Sequence, residues 1–278
     1  MSPFQVSPEF QAELQGSLRD NKSVKLPFGA PQMWWSNGKP ALLSVAEIED
    51  ARRFGGFGIS KEDIDDQAGK LPSELPYNWK LFDDLSNHEG KLYSAYLSRT
   101  AWVAPIVRRY RWVNFEGKNK SQVEYLCYLA VMEQDKKLHP WGAVIVSGSS
   151  YSGGAIDAAF KDFAQKTSSI RGTVLQNFFF HPLGTWGKTP KPEPRKGKGG
   201  KESTITPCQI YMPENGYTEE TLERWFVPAE IHPELAAMKS QSREWVDDWA
   251  KKESAQPISE NPFGEASADI GDGENVPF

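Results

Sequence analysis

Five consecutive residues, Arg108-Arg109-Tyr110-Arg111-Trp112, set three guanidinium groups beside two flat rings. Cations that track phosphates, and rings on which any base can stack, are the two requirements of single-strand recognition without sequence preference. An extended backbone sends alternate residues to opposite faces, so Arg108, Tyr110 and Trp112 share one face, while Val107, Val113 and Phe115 mark the other as core. Tyr128 lies out of phase with Val123, Cys127, Leu129 and Val131 and is expected to join the stacking face. Lys118 and Lys120 in one hairpin, and Lys136, Lys137 and Trp141 in the next, are expected to line the edge of the groove. Trp186 and a Lys/Gly/Pro segment carrying Lys188, Lys191, Arg195, Lys196, Lys198 and Lys201 extend the same chemistry. That segment is too rich in Gly and Pro to fold alone and reads as a mobile phosphate clamp. Contacts of this kind release counterions, so binding through them weakens with salt.

The charge distribution agrees. The whole chain is acidic, at −5, yet residues 91–201 hold 18 basic and 7 acidic residues. Residues 253–278 hold 6 acids and no base. A basic centre within an acidic chain points to a polyanionic partner.

Signals for catalysis are weak, and no catalytic residue, metal site or cofactor is assigned. His88, His139, His181 and His232 have no metal-like spacing with each other or with Cys127 and Cys208. Asp65-Asp66 and Asp83-Asp84 are paired carboxylates that could hold Mg²⁺ in a nuclease, although solvated acidic loops are commoner. The Ser/Gly run from Ser147 to Gly154 precedes a helix and could receive a phosphate, but lacks the lysine of a nucleotide loop. Phe54-Gly-Gly-Phe-Gly58 is expected to be irregular, and no Gly-Lys-Ser/Thr follows to make it a phosphate loop. The two cysteines look like buried free thiols, which suits a reducing cytoplasm. No apolar run approaches the ~20 residues that span a bilayer, and the first residues lack a basic segment followed by an apolar one. A cytoplasmic protein without a membrane partner is expected.

The elements that position these residues begin with a weak helical pattern near Phe10 to Leu18. Asn37-Gly38 marks a turn, and Ser44 with Glu47 a capping box. Strands follow from Lys91 to Phe115, broken at Pro105, then from Val123 to Met132 and from Trp141 to Tyr151. A helix from Ala155 to Thr167 carries Ile156, Ala159, Phe160 and Phe163 on one face. Further strands run from Arg171 to Trp186 and from Ser203 to Met212. A helical segment from Thr218 to Lys252 is interrupted at Pro228 and Pro233. Three strands, a helix and two strands is the order of an OB-fold, a five-stranded Greek-key barrel. The fold class expected is therefore mainly β with helices (α+β). Residues 1–90 form an N-terminal extension or subdomain, 91–215 the OB-like domain, 216–252 a helical segment and 253–278 a disordered acidic tail.

The chain ends with Asp269, Asp272 and Glu274 ahead of Val276-Pro277-Phe278. An acidic, Gly-rich leash with an aromatic tip suits an apolar pocket with a basic rim on another protein. This ending resembles that of bacterial and phage single-stranded DNA-binding proteins, which close on several acids followed by Ile/Leu-Pro-Phe or a bare Phe. Here the acids are spread out and Val276 stands where Ile or Leu is usual. The resemblance implies a domain that coats single-stranded DNA and a tail that recruits replication, recombination and repair proteins. Pro277 and Phe278 would enter the partner's pocket, with the three acids on its rim. In the absence of DNA the acidic tail is expected to lie over the basic groove at low salt. Two rival readings stand beside this one: an RNA-binding or strand-annealing protein using the same groove, and a metal-dependent nuclease or its accessory subunit using Asp65 or Asp83. Oligomeric state is open, a homo-oligomer included.

Overall fold

A computed structural model describes residues 6–15, 26, 28–37, 55–67, 79–86, 92–115, 118–184, 193–196, 202–205 and 208–246. In chain order the elements are α1 (Pro8–Gln15), β1 (Gln32–Asn37), β2 (Gly55–Ser60), α2 (Lys61–Asp65), β3 (Lys80–Ser86) and β4 (Leu92–Ser98). Then come β5 (Thr100–Phe115), β6 (Lys118–Met132), β7 (Leu138–Ser149), α3 (Ser150–Arg171) and β8 (His181–Gly184). Last are β9 (Glu193–Lys196), β10 (Glu202–Ile205), β11 (Gln209–Ile210), α4 (Glu219–Trp225), α5 (His232–Gln241) and α6 (Arg243–Val246). The class is mixed α+β, with more strand than helix. No described helix is long and apolar enough to cross a membrane.

Nine strands form one sheet in the order β11-β8-β5-β6-β7-β1-β2-β4-β3. Among the described strand pairs only β1–β7 is parallel. The meander β5-β6-β7, the helix α3 and the return of β8 onto β5 follow the expected order. Closure does not follow. The free edge of β7 is taken by β1, with Met33 opposite Val146, and the sheet continues through β2, β4 and β3 as an open structure. Residues 31–90 thus add β1, β2 and β3 to the same sheet.

Alternation along β6 explains the two cores. Val123, Tyr125, Cys127, Leu129 and Val131 pack with Met33, Phe57, Ile59, Ile156 and Phe160. Leu126, Tyr128 and Ala130 face the other way, into a second cluster with Phe163, Phe178, Trp225, Leu235 and Trp245. The helices α4 to α6 therefore cover the face that strand phase alone would leave to solvent.

Several local expectations change for physical reasons. The break before β5 falls at Arg99, whereas Pro105 sits at a bulge that shifts the register between Pro105 and Val107. A bulge leaves a residue outside the ladder, which tolerates the missing N–H of proline. The Ser/Gly run is a direct passage from β7 into α3. A Cβ on Gly153 would lie 2.6 Å from the Gly148 carbonyl oxygen, so the glycines let the two backbones touch. Helix α3 reaches Arg171, so the expected strand from Arg171 shrinks to β8. Phe178 and Phe180 nonetheless satisfy their backbone across the core: Phe180 N–H donates to Trp225 O, and Val227 N–H to Phe178 O. The span Ser203 to Met212 divides into β10 and β11. The helical C-terminal segment breaks at Pro228, but Pro233 lies in the first turn of α5, where its missing N–H costs nothing. The Ser44 capping box lies outside the described residues.

Phe54-Gly-Gly-Phe-Gly58 proves mostly regular: Gly55 to Gly58 open β2. Trp34 stands opposite Gly58, and a Cβ there would meet its ring at 2.4 Å. Glycine here is the bed for a tryptophan. Gly58→Ala is expected to cost about 1–3 kcal/mol through overpacking, read as a lower denaturation midpoint at unchanged m-value. An unchanged midpoint would show that Trp34 swings aside freely.

Candidate nucleic-acid interface

The β5–β6 ladder runs from Trp102–Ala130 to Phe115–Lys118. Its flanking strands stop early. β7 accompanies β6 only as far as Gln122, and β8 accompanies β5 only along Thr100–Val103. Residues 112–115 and 118–121 therefore continue past the sheet as a two-stranded ribbon, paired in the described ladder only with each other. Trp112, Lys118 and Lys120 lie on it, and Arg111 stands at its base, opposite Gln122. The register divides them, however. Val113 is opposite Lys120 and Phe115 opposite Lys118, and opposed residues share a face. Positions 111, 118 and 120 thus belong to one face, and 108, 110 and 112 to the other. The single patch expected from sequence becomes a ribbon with two faces.

At the root of the face that carries position 112, the Arg108 guanidinium lies 4.3 Å from the centre of the Tyr110 ring. Its Nη1 also donates to Asp157 Oδ1 on α3 at 2.5 Å. The Tyr125 hydroxyl donates to the same oxygen, while Lys161 Nζ pairs with Oδ2 at 2.7 Å. Burial alone would push the Asp157 carboxyl up, but Arg108, Lys161 and Tyr125 together hold it below its ordinary value. Burial pushes the Tyr110 hydroxyl up to about 12, so it stays neutral. Arg108 is accordingly both a ring-stacked cation and the partner of a buried carboxylate.

The face that carries positions 111, 118 and 120 is rooted in Arg109, a member of the arginine–aromatic run, and in Glu124 and Trp245, which sequence reasoning did not assign to the site. Arg109 Nε donates to Glu124 Oε2 at 2.8 Å, and its Nη1 to the carbonyl of Trp245 at 2.9 Å. The guanidinium also stacks over the Trp245 ring at 4.0 Å. Gln122 donates to Glu124 Oε1. The available signal was an acid, Glu124, within the apolar part of β6, which the ladder sets directly opposite Arg109. Trp245 therefore fixes the end of the described C-terminal segment at the root of the ribbon.

Other expected contacts fall elsewhere. Tyr128 and Trp141 are each only 5% exposed. The Tyr128 ring lies in the second core, and its hydroxyl donates to Glu234 Oε2. Trp141 belongs to the first core. Neither ring offers a face for a base, because helices cover one side of the sheet and α3 packs on the other. Lys136 and Lys137 are exposed, in the turn between β6 and β7. The two hairpins expected to share a groove edge stand at opposite ends of β6. Fourteen steps of ~3.3 Å separate them by about 45 Å.

The basic segment is not wholly a structureless loop. Arg195 and Lys196 lie on β9, whose ladder with β10 places Lys196 opposite Glu202 and Arg195 opposite Ser203. Trp186, Lys188, Lys191, Lys198 and Lys201 lie outside the described residues, as do Asp269, Asp272, Glu274, Val276, Pro277 and Phe278.

Among the described residues no group of three or more His, Cys, Asp or Glu could hold a metal ion. Asp65 is ion-paired with Lys61 at 2.5 Å. Cys127 and Cys208 are buried free thiols. The chain matches no protein-family model, no curated protein and no solved structure with which it was compared.

Proposed function

We propose that this chain binds single-stranded DNA without sequence preference along the β5–β6 ribbon. Its acidic tip, with Asp269, Asp272, Glu274 and Val276-Pro277-Phe278, would recruit replication, recombination or repair proteins. The observation that carries the reading is the ribbon itself: a two-stranded projection with arginine, tryptophan and lysine positions, growing from a root where Arg108 already stacks on Tyr110. The meander β5-β6-β7 with α3 and β8 serves in this reading as an OB-like core, in which β1 occupies the place beside the third strand.

The test is a titration with poly-thymidine oligonucleotide, following tryptophan fluorescence at two salt concentrations. Quenching that weakens with salt is expected. Trp112→Ala should loosen binding by about 5- to 150-fold, the loss of one stacked base. No response at low salt would remove DNA coating as the function. Equal or tighter binding of a ribo-oligonucleotide would favour the RNA reading, and Mg²⁺-dependent cleavage of the strand the nuclease one.

A further inference from the structure

Beyond Val103, the outer edge of β5 has no partner from β8. A cleft of about 240 Å³ opens there, between the Pro105–Val107 bulge, helix α3 and the 3-10 turn Gln176–Phe178. It is smaller than the ~300–1,000 Å³ typical of small-molecule sites, and has room for one base with its sugar and phosphate at the open mouth. Its walls divide by chemistry. The buried rings of Tyr125 and Phe160, with centroids 4.7 Å apart, supply an apolar side. Arg108 and Lys161 supply a cationic rim, their side chains 33% and 54% exposed. Asp157, almost wholly buried between them, holds both cations at the mouth and neutralises only one.

The floor is polar and under-used. Asn177 Nδ2 donates to the Pro105 carbonyl at 2.6 Å and braces the bulge. Gln176 Oε1 is buried with no hydrogen-bond partner among the described residues. A buried acceptor left unmade is unfavourable, and a donor supplied by a ligand removes that penalty once the amide turns toward the cleft.

We infer that this cleft is a pocket for a single nucleotide, with the phosphate between Arg108 and Lys161 at the mouth and the base entering edge-on beside the bulge, its N–H edge toward the Gln176 amide. The inference deepens the single-strand reading and rests on it for its ligand. The ribbon would hold the strand by stacking and charge, while the pocket takes in one of its bases at the root. Such a pocket gives a protein without sequence preference one position at which base identity counts.

Free nucleotides test the pocket apart from the ribbon. Calorimetric titration of the full chain with the four deoxynucleoside 5′-monophosphates, with inorganic phosphate as control, is expected to show binding of mononucleotides ahead of phosphate. Lys161→Ala should weaken the mononucleotide about tenfold, one charge-assisted contact. Gln176→Met should level the differences among the four bases while leaving the phosphate contribution intact. Circular dichroism and thermal midpoints matching wild type would show that both variants fold. A fall for both variants supports the pocket even if poly-thymidine fails to bind, in which case only the ribbon reading is lost. Absence of mononucleotide binding at millimolar concentration, or equal binding by both folded variants and wild type, overturns the pocket and leaves the ribbon reading standing on its own titration.

Discussion

Arg109→Met is expected to lower the stability of the chain by about 3–5 kcal/mol, the cost of leaving a buried charge without its partner. Glu124 is 1% exposed and receives two contacts from Arg109, at 2.7 and 2.8 Å. Gln122 also donates to it at 2.9 Å, and Gln32 approaches at 3.4 Å. Neither amide replaces a cation. Methionine keeps much of the stem's packing against Trp245, so the loss reports the charge rather than a cavity. A second replacement, Glu124→Met in the same chain, should recover most of the loss, because a buried pair exchanged as a whole for apolar groups is often neutral. Equilibrium denaturation of the three variants decides. If Arg109→Met alone costs under 1 kcal/mol, the pair is solvated in solution and Trp245 is not held by it.

Acid is expected to weaken the fold well above the range in which carboxylates titrate. His181 is completely buried between the rings of Phe160 and Phe163. Its Nε2 donates to the Gln176 carbonyl at 3.0 Å, and its Nδ1 has no partner among the described residues. Burial pushes its pKa down from 6.5 to about 3, so the folded protein keeps it neutral while the unfolded chain takes up a proton. The sign follows: this contribution is whole above pH 6.5 and declines as pH falls toward 3. Each unit of pH in that window removes up to ~1.4 kcal/mol, or about 1.7 kcal/mol between pH 6.5 and 5. His232 is shifted in the same direction by burial. In a His181→Leu variant the slope of stability against pH should be shallower by up to about 1.4 kcal/mol per unit in that window. Identical slopes in variant and wild type would mean that His181 is protonated in the folded state.

Much of the local grammar was legible. The phase of Val123 to Val131 set one core face of β6, and Ile156, Ala159, Phe160 and Phe163 marked the buried stripe of α3, because side-chain direction follows from backbone period alone. Buried free thiols at Cys127 and Cys208 were legible too. The arginine–aromatic run was found as a cluster, and its division into two faces was half visible, since Arg108, Tyr110 and Trp112 were placed together. The other half depended on the register of β5 against β6, which put Lys118 and Lys120 with Arg111.

Composition and periodicity determined where charge concentrates, which residues alternate, and that the meander leads through a helix to a returning strand. Tertiary structure decided which surfaces remain available. Whether Tyr128 faces a base or a core depends on α4 to α6 arriving from far along the chain. Whether Gly58 is a loop or a strand depends on a tryptophan laid across it. Whether β7 closes a barrel or carries an open sheet depends on β1 taking its edge. Local pattern fixes the direction of a side chain, but its burial is the work of segments distant in sequence, whose packing no short window of residues contains.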